Sequence, residues 1–356
     1  MKFLILPGDG IGPEITAATC RVLEALSLKF DLGFELVQRD IGFAAYDRCK
    51  STMPDDVLEE ISRTEMTILG PADTFAYPPK LEGGINPSKT VRSSFDLYAN
   101  FRPSRTRKGV PALGRDMDLV LIRENTEGFY ADRNMFLGEG EFMPTQEVAL
   151  AVRKITKKGS VRIAKVAFEL AQERRRKVTI VHKANVLKMT DGLFLSEARA
   201  VGEKYPDVEV EDVLVDAMAA LLVRQPERFD VVLTSNMYGD ILSDECAELS
   251  GGLGFGGSLN AGDEHAVAQA AHGSAPDIAG EDIANPTALM LSAQMLLEWT
   301  GRRQGDRKLV AAAKYIERSI DHALGQVETQ TKDIGGPLGT RAFGEAVAGI
   351  ITNMSE

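Results

Sequence analysis

The run Asn236-Met237-Tyr238-Gly239-Asp240-Ile241-Leu242-Ser243-Asp244 follows an apolar segment, Phe229 to Thr234. That segment reads as a buried strand, and the turn formers Asn236 and Gly239 after it open a helix. A strand running directly into a helix is the pattern of an α/β protein. On that helix Asp240 and Asp244 are four residues apart and share one face. Two like charges so close repel each other. The neighbours Ile241 and Leu242 imply partial burial, so a cation is expected between the acids. The plainer alternative is a pair of solvated acids near a helix start, where the helix dipole favours them. A third acid, Asp216, closes another apolar run, Val213-Leu214-Val215. Three carboxylates with no cysteine or histidine nearby suit a hard divalent ion such as Mg2+ or Mn2+.

Outward from this stretch the same alternation continues. Lys2 to Leu6 predicts a strand, Pro7-Gly8-Asp9-Gly10-Ile11-Gly12 a glycine turn, and the residues to about Leu28 a helix. The turn spacing is G-x-G-x-G rather than G-x-G-x-x-G, and no following strand ends in an acid placed to hold a ribose. A classical Rossmann fold is therefore not expected. Residues 34 to 69 alternate strands (Phe34 to Val37, Met66 to Leu69) with a helix over Pro54 to Arg63. Residues 70 to 90, rich in proline and glycine, read as a long functional loop. Later come a helix from Ser160 to Arg175, a strand over Val178 to Val181, and helices over Thr287 to Trp299 and Arg307 to Leu324. The basic run Arg174-Arg175-Arg176-Lys177 reads as a solvated helix end.

A chain of 356 residues has room for two domains. Its net charge of −11 argues against nucleic-acid or anionic-membrane partners, which require a basic surface. Three cysteines in no metal spacing suggest a reducing, cytoplasmic setting. Phe3 to Leu6 is too short for a signal peptide, and no run approaches a membrane span.

Several motifs together resemble the isocitrate and isopropylmalate dehydrogenase family over essentially the whole chain. They are Asn236 to Asp244, Arg92 to Pro103, Arg123-Glu124-Asn125-Thr126-Glu127-Gly128-Phe129-Tyr130, His182 to Lys188, His272 to Gly280, and Thr331 to Gly336. The resemblance implies an α/β, isopropylmalate dehydrogenase-like two-domain fold. Residues 1–98 with 250–356 would form a large cofactor-binding domain. Residues 99–249 would form a small domain with the substrate and metal residues and an intersubunit clasp. It implies NAD-dependent oxidative decarboxylation of a 3-substituted (R)-malate by a homodimer with shared active sites. Arg92, Arg102 and Arg123 would grip carboxylates, for which a planar, permanently charged fork is suited. Asp216, Asp240 and Asp244 would hold Mg2+ or Mn2+. Lys183 would be the general base and Tyr130 the final proton donor, with Lys183 and Asp216 entering from the partner subunit. His272, Gly273, Ser274, Ala275, Pro276, Asp277, Asn285 and Asn185 would contact the cofactor. Asp277 would accept from both ribose hydroxyls and repel a 2′-phosphate, which favours NAD over NADP. Gln269 departs from the glutamate that many relatives have there.

The group at C3 of the substrate depends on Asn86-Pro87-Ser88-Lys89, just before Arg92. Isopropylmalate enzymes place leucines at this point. Asn86 and Ser88 are the pair that isocitrate enzymes place there, in exchanged order, and Lys89 falls where homoisocitrate enzymes carry a second arginine. A tricarboxylate is expected, isocitrate (giving 2-oxoglutarate) first and homoisocitrate second, with 3-isopropylmalate, D-malate and tartrate as alternatives. From another class, a non-catalytic regulatory subunit is the competing reading.

Overall fold

The computed structural model describes residues 1–130 and 140–354. Ten strands form one sheet in the order β2-β1-β3-β12-β11-β4-β5-β10-β8-β9. Their ranges are β1 Lys2–Leu6, β2 Glu35–Gln38, β3 Met66–Leu69, β4 Ala99–Arg105, β5 Asp118–Glu124, β8 Lys177–His182, β9 Glu209–Leu214, β10 Val231–Thr234, β11 Leu259–Ala261 and β12 Ala266–Ala268. Neighbours run parallel except where β11 meets β12 and β4, and where β4 meets β5. Two further strands, β6 (Glu141–Thr145) and β7 (Val148–Ala151), pair as a hairpin outside this sheet.

Alternation along β5 shows how the layers form. Val120 and Ile122 join Val178, Ile180, Val231 and Leu233 in a core under helices α5 (Lys157–Gln172) and α6 (Thr190–Gly202). Leu119 and Leu121 point the other way, joining Val232 and Val181 beneath α7 (Val215–Arg224) and α8 (Asn236–Ser250). A period of two thus covers both faces. The central strands β3, β5, β8 and β10 consequently read as near-continuous apolar runs, as a buried parallel sheet requires. Across β11 the pattern repeats. Helices α1 (Gly12–Phe30), α9 (Thr287–Gln304), α10 (Arg307–Leu324) and α11 (Thr340–Asn353) cover one face of that half. Helices α3 (Asp55–Arg63) and α4 (Pro87–Ser94), with Ile41 just before α2 (Gly42–Cys49), cover the other.

Three expectations change. The loop expected over 70–90 ends at Asn86, because Asn86 Oδ1 accepts from the Lys89 amide at 2.9 Å and caps α4, with Pro87 in its first turn. Arg174 and Arg175 are not simply a solvated helix end, since both bind the buried Asp230 and reach Asp118. Ile241 is 61% exposed while Leu242 is buried, so the expected burial beside Asp240 comes from one neighbour only.

Candidate active site

Four elements end at the same edge. The parallel strands β5, β10, β8 and β9 lead at their carboxyl ends into Asn125–Tyr130, α8, the Lys183 turn and α7. Ligands of open α/β sheets bind outside such ends. Arg123 sits in the last turn of pleat on β5, and β4 runs antiparallel beside it with Asn100 opposite Arg123 and Arg102 opposite Leu121.

Arg102 and Arg123 are 5% and 1% exposed, so their guanidiniums must be satisfied internally. Arg123 Nε and Nη2 donate to Asn236 Oδ1 at 2.9 and 2.7 Å, and Nη1 pairs with Asp240. Arg102 Nε donates to Asn100 Oδ1 at 2.7 Å. Its Nη1 reaches Ser243 Oγ at 2.8 Å and Asp244 Oδ1 at 3.2 Å, and its Nη2 reaches Asp240 Oδ1 at 3.4 Å. The cation expected between the two acids is thus present as a pair of arginines. Gly239 makes this approach possible: a Cβ there would stand 2.7 Å from Arg123 Cγ.

The electrostatics of the two acids differ. Burial pushes the Asp240 carboxyl up, but the fields of Arg123, Arg102 and Arg92 outweigh it and hold it below the usual carboxylate range. Burial pushes the Asp244 carboxyl up, Arg102 opposes this, and the neighbouring Asp240 charge adds to the rise. Burial, then Arg123, lowers the Arg102 guanidinium to about 10, so it keeps its charge at neutral pH. The Tyr130 hydroxyl lies 3.5 Å from Asp240 Oδ2.

Lys183 and Asp216 form a separate ion pair, and Lys183 lowers the Asp216 carboxyl through that hydrogen bond. Among the described residues, no three His, Cys, Asp or Glu side chains gather as a metal site within one chain. The expected trio is therefore divided: Asp240 and Asp244 share α8, whereas Asp216 opens α7 beyond β9, with β8 between β9 and β10. Asn185 is exposed on the Lys183 turn.

At the other half, two turns meet. The Ile11 amide donates to Ser274 O at 2.8 Å, and Gly10, with φ +58°, passes so close that a Cβ would stand 1.9 Å from that oxygen. This brings His272-Gly273-Ser274-Ala275-Pro276-Asp277 against the first glycine turn. Asp277 is exposed, Nε2 of His272 is buried without a hydrogen-bond partner, and burial lowers the His272 pKa. Asn285 Nδ2 donates to Asp333 Oδ2 at 3.0 Å, and its Oδ1 accepts from the Thr287 amide at 3.0 Å. On α4, Ser88 Oγ accepts from Gln269 Nε2 at 2.6 Å, and Lys89 and Arg92 are half-buried. Asn236, Ser243 and Asn100 orient the arginines, a role that sequence reading did not assign. A polar residue two places before Arg102 on one strand face was the available signal for Asn100.

This α/β sheet, with its arginine-bound diacid helix at the carboxyl ends of the strands, is the frame of a decarboxylating dehydrogenase of hydroxy acids. The chain belongs to the isocitrate/isopropylmalate dehydrogenase family, whose profile matches residues 2–347. The 3-isopropylmalate dehydrogenase of Methanothermobacter thermautotrophicus is 40% identical over 98% of each chain. The isocitrate/homoisocitrate dehydrogenase of Thermus thermophilus is 42% identical over 97% of each. Among solved structures, isocitrate dehydrogenase from Methylococcus capsulatus superposes with a TM-score of 0.87 at 37% identity, covering 99% of each chain.

Proposed function

We propose that the protein oxidises and decarboxylates a 3-substituted (R)-malate with NAD, using Mg2+ or Mn2+, as a cytoplasmic homodimer that shares its active sites. The observation that carries this reading is the pairing of Asp240 and Asp244 with Arg102 and Arg123, with Arg92 acting on Asp240 and the Tyr130 hydroxyl beside it. A diacid in which one carboxyl is disfavoured as an anion by burial and by its neighbour fits a divalent cation. Asp240 and Asp244 would hold the ion with Asp216 of the partner subunit. When bound, the metal would supply Lewis-acid stabilisation of oxygen charge at the substrate and NAD would supply the hydride acceptor.

The chain's own residues do the rest. Arg92, Arg102 and Arg123 bind and orient the carboxylates. Lys183 of the partner subunit accepts the hydroxyl proton, and Tyr130 returns a proton to carbon after CO2 leaves. His272 to Asp277, Asn285 and the Gly8–Gly12 turn bind the adenosine end, and Asn185 of the partner subunit adds a cofactor contact. The buried, unpartnered Nε2 of His272 and the exposed Asp277 carboxylate support this placement. Residues 1–98 with 250–356, and residues 99–249, would form two domains that meet where β11 pairs with β4.

Support for a dimer comes from exposed apolar surface. Phe142 and Met143 on the hairpin, and Val186 and Met189 beside Lys183, are 51%, 63%, 65% and 86% exposed. A lone two-stranded hairpin is marginal in water, so a second copy is the natural cover. The family resemblance puts the intersubunit clasp in the segment 131–160, of which residues 131–139 lie outside the described residues.

The relatives' names divide between isopropylmalate and tricarboxylate substrates, so the choice rests on α4. Asn86, Ser88 and Lys89 make its first turn polar and cationic, which suits isocitrate first and homoisocitrate second. Comparing kcat/KM for isocitrate, homoisocitrate, 3-isopropylmalate, D-malate and tartrate, each with NAD and NADP, tests this. A tricarboxylate with NAD should lead, and Lys89→Leu should reduce that lead by about 10²-fold. A wild-type preference for 3-isopropylmalate would overturn the assignment of α4.

A further inference from the structure

Arg153 lies two residues beyond β7, outside every role assigned above, yet its side chain is only 7% exposed. Nη1 pairs with Asp191, whose side chain is 2% exposed, and also donates to Thr190 Oγ1 at 3.3 Å. Nη2 donates to Oγ of Ser235, the residue preceding α8, at 3.0 Å. The guanidinium carbon stands 5.0 Å from the Tyr238 ring and 5.5 Å from the Phe129 ring. Asp191 in turn accepts the backbone amide of Lys183 through Oδ2 at 2.6 Å. The next residue, Lys154, exchanges backbone hydrogen bonds with Gly128 at 2.8 and 3.0 Å.

One guanidinium therefore touches three segments at once: Phe129, next to Tyr130; the first turn of the diacid helix; and, through Asp191, the turn carrying Lys183. A buried ion pair is a weak source of stability, because desolvation cancels much of its Coulomb gain. What it supplies is geometry. The fork of Arg153 fixes directions that an ammonium cannot, and Asp191, in the first turn of α6, is favoured there by the helix dipole.

We propose that Arg153 and Asp191 are positioning residues that hold the Lys183 turn in register with Tyr130 and α8. The inference rests on the proton-transfer roles proposed for Lys183 and Tyr130. In the proposed dimer the two act in different sites, so this pair ties the base delivered to one site to the acid of the other.

The test uses the full-length protein with Arg153→Met, Arg153→Lys and Lys183→Met, each checked for a native circular dichroism spectrum and melting transition. For Arg153→Met, kcat should fall about 10²-fold with KM nearly unchanged, as expected when a reacting group is misplaced by about an ångström. The primary deuterium isotope effect on kcat, with substrate labelled at the hydride-bearing carbon, should rise. Arg153→Lys, which keeps the buried charge balanced, should recover part of the loss. If Arg153→Met does not fold, Arg153→Lys decides alone through a kcat loss with unchanged KM. Folded variants with wild-type kcat and isotope effect would overturn the inference, as would losses that merely track the folded fraction. The Lys183→Met control separates the two levels. Full activity there removes the base assignment itself, whereas an inactive Lys183→Met beside unaffected Arg153 variants removes only the positioning role.

Discussion

Asp240 and Asp244 occupy one helix face, yet their surroundings treat them oppositely. Three arginines keep Asp240 anionic against burial, whereas Asp244 is pushed up by burial and by Asp240 itself. Asp240→Asn preserves shape and a hydrogen-bond acceptor for Arg123 but removes the anion that a divalent ion needs. We expect turnover to fall by about 10³-fold or more, since a catalytic metal lowers the barrier by several kcal/mol. The fold should persist, because the Asp240 side chain is 37% exposed and Asn236 still engages Arg123. Steady-state rates with and without EDTA check this. Wild-type protein stripped of metal should lose activity and regain it with Mg2+ or Mn2+, and full activity in EDTA would sink the metal assignment. At this scale Asp240 and Asp244 were legible from their spacing on one helix face, whereas the arginines were legible only through the family motifs that carry them. Asn236, Asn100, Ser243 and Arg153 were not. Uncharged partners and a loop arginine acquire meaning only when distant segments meet.

Among the elements, the strands and long helices were the easiest to read. The β3 segment Met66–Leu69 and the α10 segment Arg307–Leu324 coincide with the expected ranges, because uninterrupted apolar runs and regular helical faces fix both type and extent. The short α2 escaped notice, and the first half of α4 was absorbed into a loop. Both are eight residues long, and α4 begins in a proline-rich stretch where a turn and a helix start share the same residues. That start is chemically exposed to a simple change. Asn86→Ala removes the Oδ1 cap on the Lys89 amide, a loss of about 1 kcal/mol at the helix end. The first turn carries Ser88 and Lys89, so fraying there should raise KM for the preferred substrate severalfold while kcat changes little. Faster amide hydrogen exchange at residues 88–90 should accompany it. Asn86→Ser, which still caps, should behave as wild type, and equal effects from both substitutions would remove capping as the cause.

At the scale of the whole molecule, the α/β class was readable from alternating strands and helices, but the order of the ten strands was not. Which strand lies beside which depends on long-range pairing, such as β11 against β4 across some 150 residues of chain. The same order sets Asp216 apart from Asp240 within one chain, because β8 lies between β9 and β10. From the shared-site dimer proposed above and the exposed apolar side chains beside Lys183, we expect each site to combine Tyr130 of one chain with Lys183 of its partner. Mixed dimers test it directly. Lys183→Met and Tyr130→Phe homodimers should each be nearly inactive. After dissociation and random reassociation of equal amounts, half the dimers are hybrids. In a shared-site enzyme each hybrid has one doubly substituted site and one intact site, so about a quarter of the wild-type rate should return. If Lys183 and Tyr130 of the same chain served one site, every site would carry a substitution and mixing would restore nothing.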